Sequence, residues 1–276
     1  MQNNSSDGRN SLDFFQLYRT FLEIDSVSSF IHGRNRSLIK DFYSVYYFEA
    51  MSKKNSKDKN IQDKLNQAKE LLKTNFREYV SQRKEYHIEI WKNLKKEQHA
   101  KYLCIVENPN ISEAFLELTY AIEQYEEWRN KLNDEQIKII YEKNLKDRQV
   151  YYTDNDNGFS DFNKDLLGKI NVKALKNNKI LKQTLIEFHN GISHLVSIYY
   201  GKIENDKNKS RAINHFKRGA LDSYKAIIKD FYYIRSCDKK IVYEPLKYIK
   251  QIRKEEYSNI GSDKAIFKEY KKSQMI

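Results

Sequence analysis

"IQDKLNQAKELLKTNFREYVSQRKEYHIEIWKNLKKEQHAKYLCIV" occupies residues 61–106. Its apolar residues fall at Ile61, Leu65, Ala68, Leu72, Phe76 and Tyr79, then at Tyr86, Ile90 and Leu94. Steps of three and four draw one stripe along a single helix face. A helix over the whole stretch would run roughly 65 Å at 1.5 Å per residue, more than a compact bundle covers. It therefore projects as one limb of an arm, or kinks near "RKEYH". Pro109 follows its end, and "NISE" at 110–113 has the form of a capping box. A return limb follows with Ala114, Leu118, Ala121, Ile122, Tyr125, Trp128 and Leu132, and a second start at "NDEQ", 133–136. The pattern predicts an antiparallel helical hairpin over 57–150.

The rest of the chain agrees with an all-α reading. Among 276 residues there are eight glycines and two prolines, and between Arg34 and Asn157 no glycine and only Pro109. A β protein of this size needs many more turn residues. On the N-terminal side, "LDFFQLYRTFLEI" follows a capping Ser11, and "LIKDFYSVYYFEAM" follows Ser37. The second is apolar almost all round, which marks a buried central helix. On the C-terminal side, "YYTDNDNGFSDFN" at 151–163 reads as a loop. Set in calcium-loop register on Gly158, it offers Lys164 where the twelfth-position glutamate belongs, so it is read as a turn cluster. Helices are expected near 180–200, 209–236, 244–257 and 263–272. The expected organisation is 1–56 packing on a bundle, 57–150 as the arm, 151–164 as the boundary and 165–276 as a basic helical bundle.

Composition excludes several classes. Cys104 and Cys237 fit neither a metal spacing nor a disulfide scaffold. No window approaches eighteen apolar residues, and the first residues are polar rather than a signal sequence. The expected setting is the cytoplasm, without a membrane. Net charge is +12, unevenly spread. Residues 205–276 hold 18 Lys/Arg against 9 Asp/Glu, a net +9, and 108–156 hold 6 against 11, a net −5. The basic tail implies nucleic acid, an acidic protein, or docking on the acidic middle of the same or a second copy. A lysine-, asparagine- and isoleucine-rich composition would also produce it without any function.

One short segment holds a line of chemistry-bearing residues. "RAINHFKRGALDSYK", 211–225, sets His215, Arg218, Asp222 and Lys225 at steps of three, four and three. The same helix has apolar residues at Ile213, Phe216, Ala220, Tyr224, Ile227, Phe231 and Ile234, nearly opposite. The line is read as a solvated face with an Arg218–Asp222 pair; the other reading packs it on a partner or on the preceding helix. That preceding helix carries His189 and His194 about 140° apart, which is not a zinc pair. Gly191 within it implies close approach of a neighbour, for which Gly219 is the expected donor of space.

Together "EFHNGISHL" and "AINHFKRGALDSYK", within 180–236, resemble the HEPN class of prokaryotic helical bundles. That resemblance implies a bundle, and RNase activity or a place beside nucleases in phage defence and toxin–antitoxin systems. The class signature is Arg, four to six residues, then His. Arg211 precedes His215 by three intervening residues, as Arg83 precedes His87, so neither pair fits. Arg211, His215, Arg218 and Asp222 are the catalytic candidates only if the motif is degenerate. No phosphate loop, serine triad, zinc spacing or carboxylate pair appears, and Glu123, Glu126 and Glu127 read as an acidic helix face. No metal or other cofactor is expected.

Two basic clusters are the nucleic-acid candidates. His32, Arg34 and Arg36 precede the Ser37 helix start, where backbone N–H groups attract anions. Lys247, Lys250, Arg253 and Lys254 form a stripe backed by Leu246, Ile249 and Ile252, with Tyr243, Tyr248 and Tyr257 interleaved. The expectation is a non-catalytic helical interaction protein that contacts a protein partner, nucleic acid or both, homo-oligomerisation being open. Its rivals are a HEPN-like RNase with a degenerate motif and a structural coiled-coil assembly factor.

Overall fold

The structure, a computed structural model, describes residues 14–15, 17–22, 24, 35–55, 57–81, 108–152, 180–200, 205–237, 247, 250–252 and 254. These are helical with short connections and contain no strand. Six helices are delimited: α1 Arg36–Lys54, α2 Lys59–Ser81, α3 Pro109–Lys131, α4 Asp134–Tyr152, α5 Lys182–Tyr200 and α6 Asn205–Cys237. Shorter helical pieces lie among residues 14–24 and 247–254. Among the described residues no helix is long and apolar enough to cross a membrane.

Two compact units emerge, one of Met1–Thr119 with Lys182–Gly219, the other of Tyr120–Leu181 with Ala220–Ile276. The first holds an aromatic core. Phe14, Phe15, Tyr18 and Phe21 meet Phe42, Tyr43 and Tyr46 of α1, Phe76 and Tyr79 of α2, Phe115 of α3, Phe188 of α5 and Phe216 of α6, all buried. Edge-to-face pairs recur, with Tyr46 and Phe115 at 4.5 Å and 88°, and Tyr18 and Phe42 at 4.6 Å and 65°. Such pairs contribute about 0.5–1.5 kcal/mol beyond the area they bury.

Helices α1 and α2 form an antiparallel hairpin. Asn55 closes α1 by donating its N–H to Met51 O at 3.0 Å, and Asp58 caps α2 by accepting from Asn60 N at 2.9 Å. Cross-links then step along both helices: Gln62 to Ser52, Lys69 to Glu49, and Asn75 to Asp41. The stripe at Leu65, Ala68, Leu72, Phe76 and Tyr79 is buried as its spacing requires. Its described neighbours are α1 and, at Tyr79, Phe21. The remainder of the expected long limb, 82–107, lies outside the described residues, and pairing of 61–106 with 111–150 stays a proposal.

Two helix starts differ from the sequence reading by two residues. Asn35, not Ser37, caps α1, its Oδ1 accepting from Leu38 N at 3.1 Å. Asn108, not the "NISE" box, caps α3: its Oδ1 accepts from both Asn110 N and Ile111 N at 3.2 Å. Pro109 thus opens a helix as its first residue, where no N–H is needed. A reciprocal box does form at the expected "NDEQ" start of α4, where Gln136 N donates to Asn133 Oδ1 at 2.9 Å and Asn133 N to Gln136 Oε1 at 3.0 Å.

The second unit is smaller in its described core. Leu132, Ile137 and Ile140 pack with Trp128 and Ile234. Beside them Arg129 and Asp230 form a buried ion pair at 3.8 Å. Burial outweighs that pair and pushes the Asp230 carboxyl up to about 7, while Arg129, Lys229 and Trp128 pull the other way. Ser11 and the 153–164 part of the expected boundary loop lie outside the described residues.

Candidate functional site

The line on α6 is not uniformly solvated. Asn208, Arg211, His215 and Arg218 follow at steps of three, four and three, extending the sequence line by about two turns at its N-terminal end. Across from them on α5, Glu187 and His194 are seven residues apart, which also puts them on one helix face. The two faces meet within the first unit.

Glu187 is the base of the cluster. Its residue is 3% exposed, and both carboxylate oxygens are engaged. Oε2 lies 2.6 Å from His215 Nδ1, and Oε1 accepts from Gln183 Nε2 at 3.1 Å and lies 3.8 Å from Arg218 Nη2. A buried carboxylate is costly unless it is paired and hydrogen-bonded, and these three partners meet that requirement. The short contact to a carboxylate oxygen makes Nδ1 of His215 the donor, which leaves Nε2 to accept a hydrogen bond in the neutral ring.

His194 stacks on His215, with ring centroids 5.3 Å apart and planes 17° from parallel. Its Nδ1 lies 3.3 Å from Asn208 Oδ1. Burial holds the His194 imidazole below its ordinary pKa; His215 and Arg211 act in the same sense, and the Asn208 bond opposes them. The rim is charged: Arg211 is exposed, and the Arg218 side chain is 67% exposed. The site thus combines two oriented imidazoles, one buried anion and two guanidiniums. It can hold and move protons and attract an anion.

Two glycines allow this approach. A Cβ on Gly191 would meet the Phe216 ring, with Cδ1 at 2.8 Å. A Cβ on Gly219 would meet Leu118 Cδ1 at 2.8 Å and Glu187 Cβ at 3.2 Å. Close approach at Gly191 is therefore present, but its neighbour is Phe216 and not Gly219. Thr184 adds a buried bond from its hydroxyl to Gly219 O at 3.3 Å.

The other predicted residues divide as follows. Asp222 and Lys225 are partly buried further along α6. His189 points the other way, into the core, where it is 5% exposed and bonded to the Tyr18 hydroxyl at 2.9 Å. Among the described residues no group of three or more His, Cys, Asp or Glu is placed to hold a metal ion. Lys247, Lys250 and Lys254 are exposed while Ile252 between them is 2% exposed. Arg36 is the first residue of α1. His32, Arg34, Arg83, His87, Leu246, Ile249, Arg253 and the three interleaved tyrosines lie outside the described residues.

Glu187 is the residue that sequence reasoning passed over. The available signal was its seven-residue spacing to His194 with Gly191 between them, a face distinct from the His189–His194 comparison. No protein-family model, curated protein or solved structure matches the chain.

Proposed function

We propose that this protein is a non-catalytic helical interaction protein that contacts nucleic acid through its basic C-terminal region while engaging a protein partner. The observation that carries this reading is the segregation at 247–254, where Lys247, Lys250 and Lys254 are exposed and Ile252 is buried. An amphipathic segment with lysines on its outer side gives up little packing to bind phosphates. The net +9 of residues 205–276 supports the same partner. The HEPN-like resemblance supports a cytoplasmic role in a prokaryotic or phage defence complex.

The test is salt-titrated fluorescence anisotropy with duplex DNA and single-stranded RNA. Changing Lys247, Lys250, Arg253 and Lys254 to Gln flattens the slope of log K against log salt by roughly three to four for duplex DNA, if each touches one phosphate. The loss is similar for all sequences, because phosphate contacts position without specifying. Absence of wild-type binding at about 50 mM salt, where screening is weak, would refute the nucleic-acid reading. A change of oligomeric state in the variant would instead support docking of the tail on the acidic 108–156 segment.

A further inference from the structure

We propose that the outer rim of the α5–α6 cluster, formed by His194, His215, Arg211 and Arg218, is a binding site for a phosphate group. The proposal is independent of the C-terminal stripe, which lies in the other unit.

The reasoning starts from what is already satisfied. Each imidazole has its Nδ1 committed, His215 to Glu187 and His194 to Asn208. Among the described residues neither Nε2 has a hydrogen-bond partner that the geometry supplies, so both are available to a ligand. Arg211 lies four residues before His215 and Arg218 three after it. At 1.5 Å per residue their backbone positions sit about one helical turn to either side.

Stacking two imidazoles has an electrostatic consequence. His215 opposes protonation of His194, and Arg211 opposes it further. The groups that face the imidazoles are Glu187 from α5 and Arg211 and Arg218 from α6, with Gln183 and Asn208 as neutral partners. The cluster therefore sets two guanidiniums against one carboxylate, and that carboxylate is buried. An anion at the rim favours the imidazolium form of His194, whose Nε2 then becomes a donor.

The number of donors selects the anion. His194 from α5 and Arg211, His215 and Arg218 from successive turns of α6 offer donors from two helices. A carboxylate has two oxygens in one plane and is matched by one arginine. A phosphate presents three terminal oxygens in a tetrahedral array and accepts from donors on different sides. Phosphate binding also couples to proton uptake by His194, so the imidazole reports occupancy directly.

The experiment is an NMR titration of the full chain labelled at histidine, at fixed pH near 7. The probes are inorganic phosphate, sulfate, a short 5′-phosphorylated oligoribonucleotide and the same strand without that phosphate. Saturable movement of the His194 ring resonances toward the imidazolium position, with a saturable shift at the stacked His215 ring, is expected with phosphate. Sulfate, whose charge is constant near neutral pH, separates ligand binding from phosphate titration. Changing Arg211 or Arg218 to Gln weakens the response by about tenfold, one charge-assisted contact each. With inorganic phosphate as the probe, the response does not depend on the C-terminal lysines, which lie in the other unit. Tighter binding of the phosphorylated strand assigns the site to a strand terminus, equal binding of both strands to a backbone phosphate, and binding of phosphate alone to a small phosphorylated molecule. Each of these outcomes upholds a phosphate site. Linear, unsaturating shifts with every probe, or saturable shifts that survive both arginine changes, overturn it.

Discussion

Replacing Gly191 with Ala tests the packing that brings α5 and α6 together. In an exposed helix interior this change adds about 1 kcal/mol of stability, because glycine gives up more backbone entropy. Here the new Cβ would press on the ring of Phe216, with Cδ1 at 2.8 Å and Cζ at 3.1 Å. The ring is fully buried, with Phe115 at 5.5 Å and Phe188 at 6.4 Å, so it has little room to retreat. Overpacking a well-filled core costs about 1–3 kcal/mol. Ring atoms inside normal contact distance place this case toward the upper end, leaving a net loss of about 1–2 kcal/mol after the propensity gain. Differential scanning calorimetry should show Tm lowered by about 3–6 °C. The same change in a Phe216→Leu background should be neutral or stabilising, since the smaller side chain yields the space. The cycle between them then gives a coupling energy of about 1 kcal/mol or more, as expected for residues in contact. A raised Tm for Gly191→Ala in the wild-type background, or equal effects in both backgrounds, would refute the reasoning.

Four further outcomes follow from other parts of the molecule. Asp230 binds its proton more tightly folded than unfolded, between 3.8 and about 7. Stability therefore falls as pH rises through that window, by at most about 4 kcal/mol, and levels off above it. Urea melts at stepped pH should show this fall and its loss in Asp230→Asn; an unchanged slope in the variant would exclude Asp230 as its source. Glu187→Ala leaves His215 and Gln183 without their acceptor and should cost about 2–3 kcal/mol, with a smaller loss for Glu187→Gln; equal stability of all three proteins would contradict the buried-carboxylate reading. Asn108→Ala should cost about 1 kcal/mol and Asn110→Ala little, because the cap of α3 is the former. Asn133→Ala should likewise cost about 1 kcal/mol, read as faster amide exchange in the first turn of α4.

The caps show where sequence reasoning slips. Polar residues crowd each start: Asn35 with Ser37, and Asn108 with Asn110. All are acceptable caps by type, and the choice rests on which backbone N–H groups each side chain reaches. The described geometry gives that choice to Asn35 and Asn108. The stripe of α2 was legible because burial follows the 3.6-residue repeat directly. Its partner was not, because an apolar stripe states that something covers it without stating what. The α1–α2 hairpin turns on Asn55 and Asp58, inside a run that read only as polar.

By itself, the sequence determined the helical class and most buried positions, including Leu72, Phe76, Phe216 and Tyr224. Those depend on local periodicity and on the scarcity of glycine and proline. It also located His215 and Arg218 on one helix face. Only the tertiary structure decided that this face meets α5, that Glu187 lies beneath His215 at 2.6 Å, and that His194 stacks on it. Nothing in the periodicity of one helix records the rotation of its neighbour, and Gly191 and Gly219 set that rotation through contacts with Phe216 and Leu118. A buried carboxylate and an exposed one look alike in a sequence. The difference is made by which helix covers it, and that is a property of packing between segments far apart in the chain.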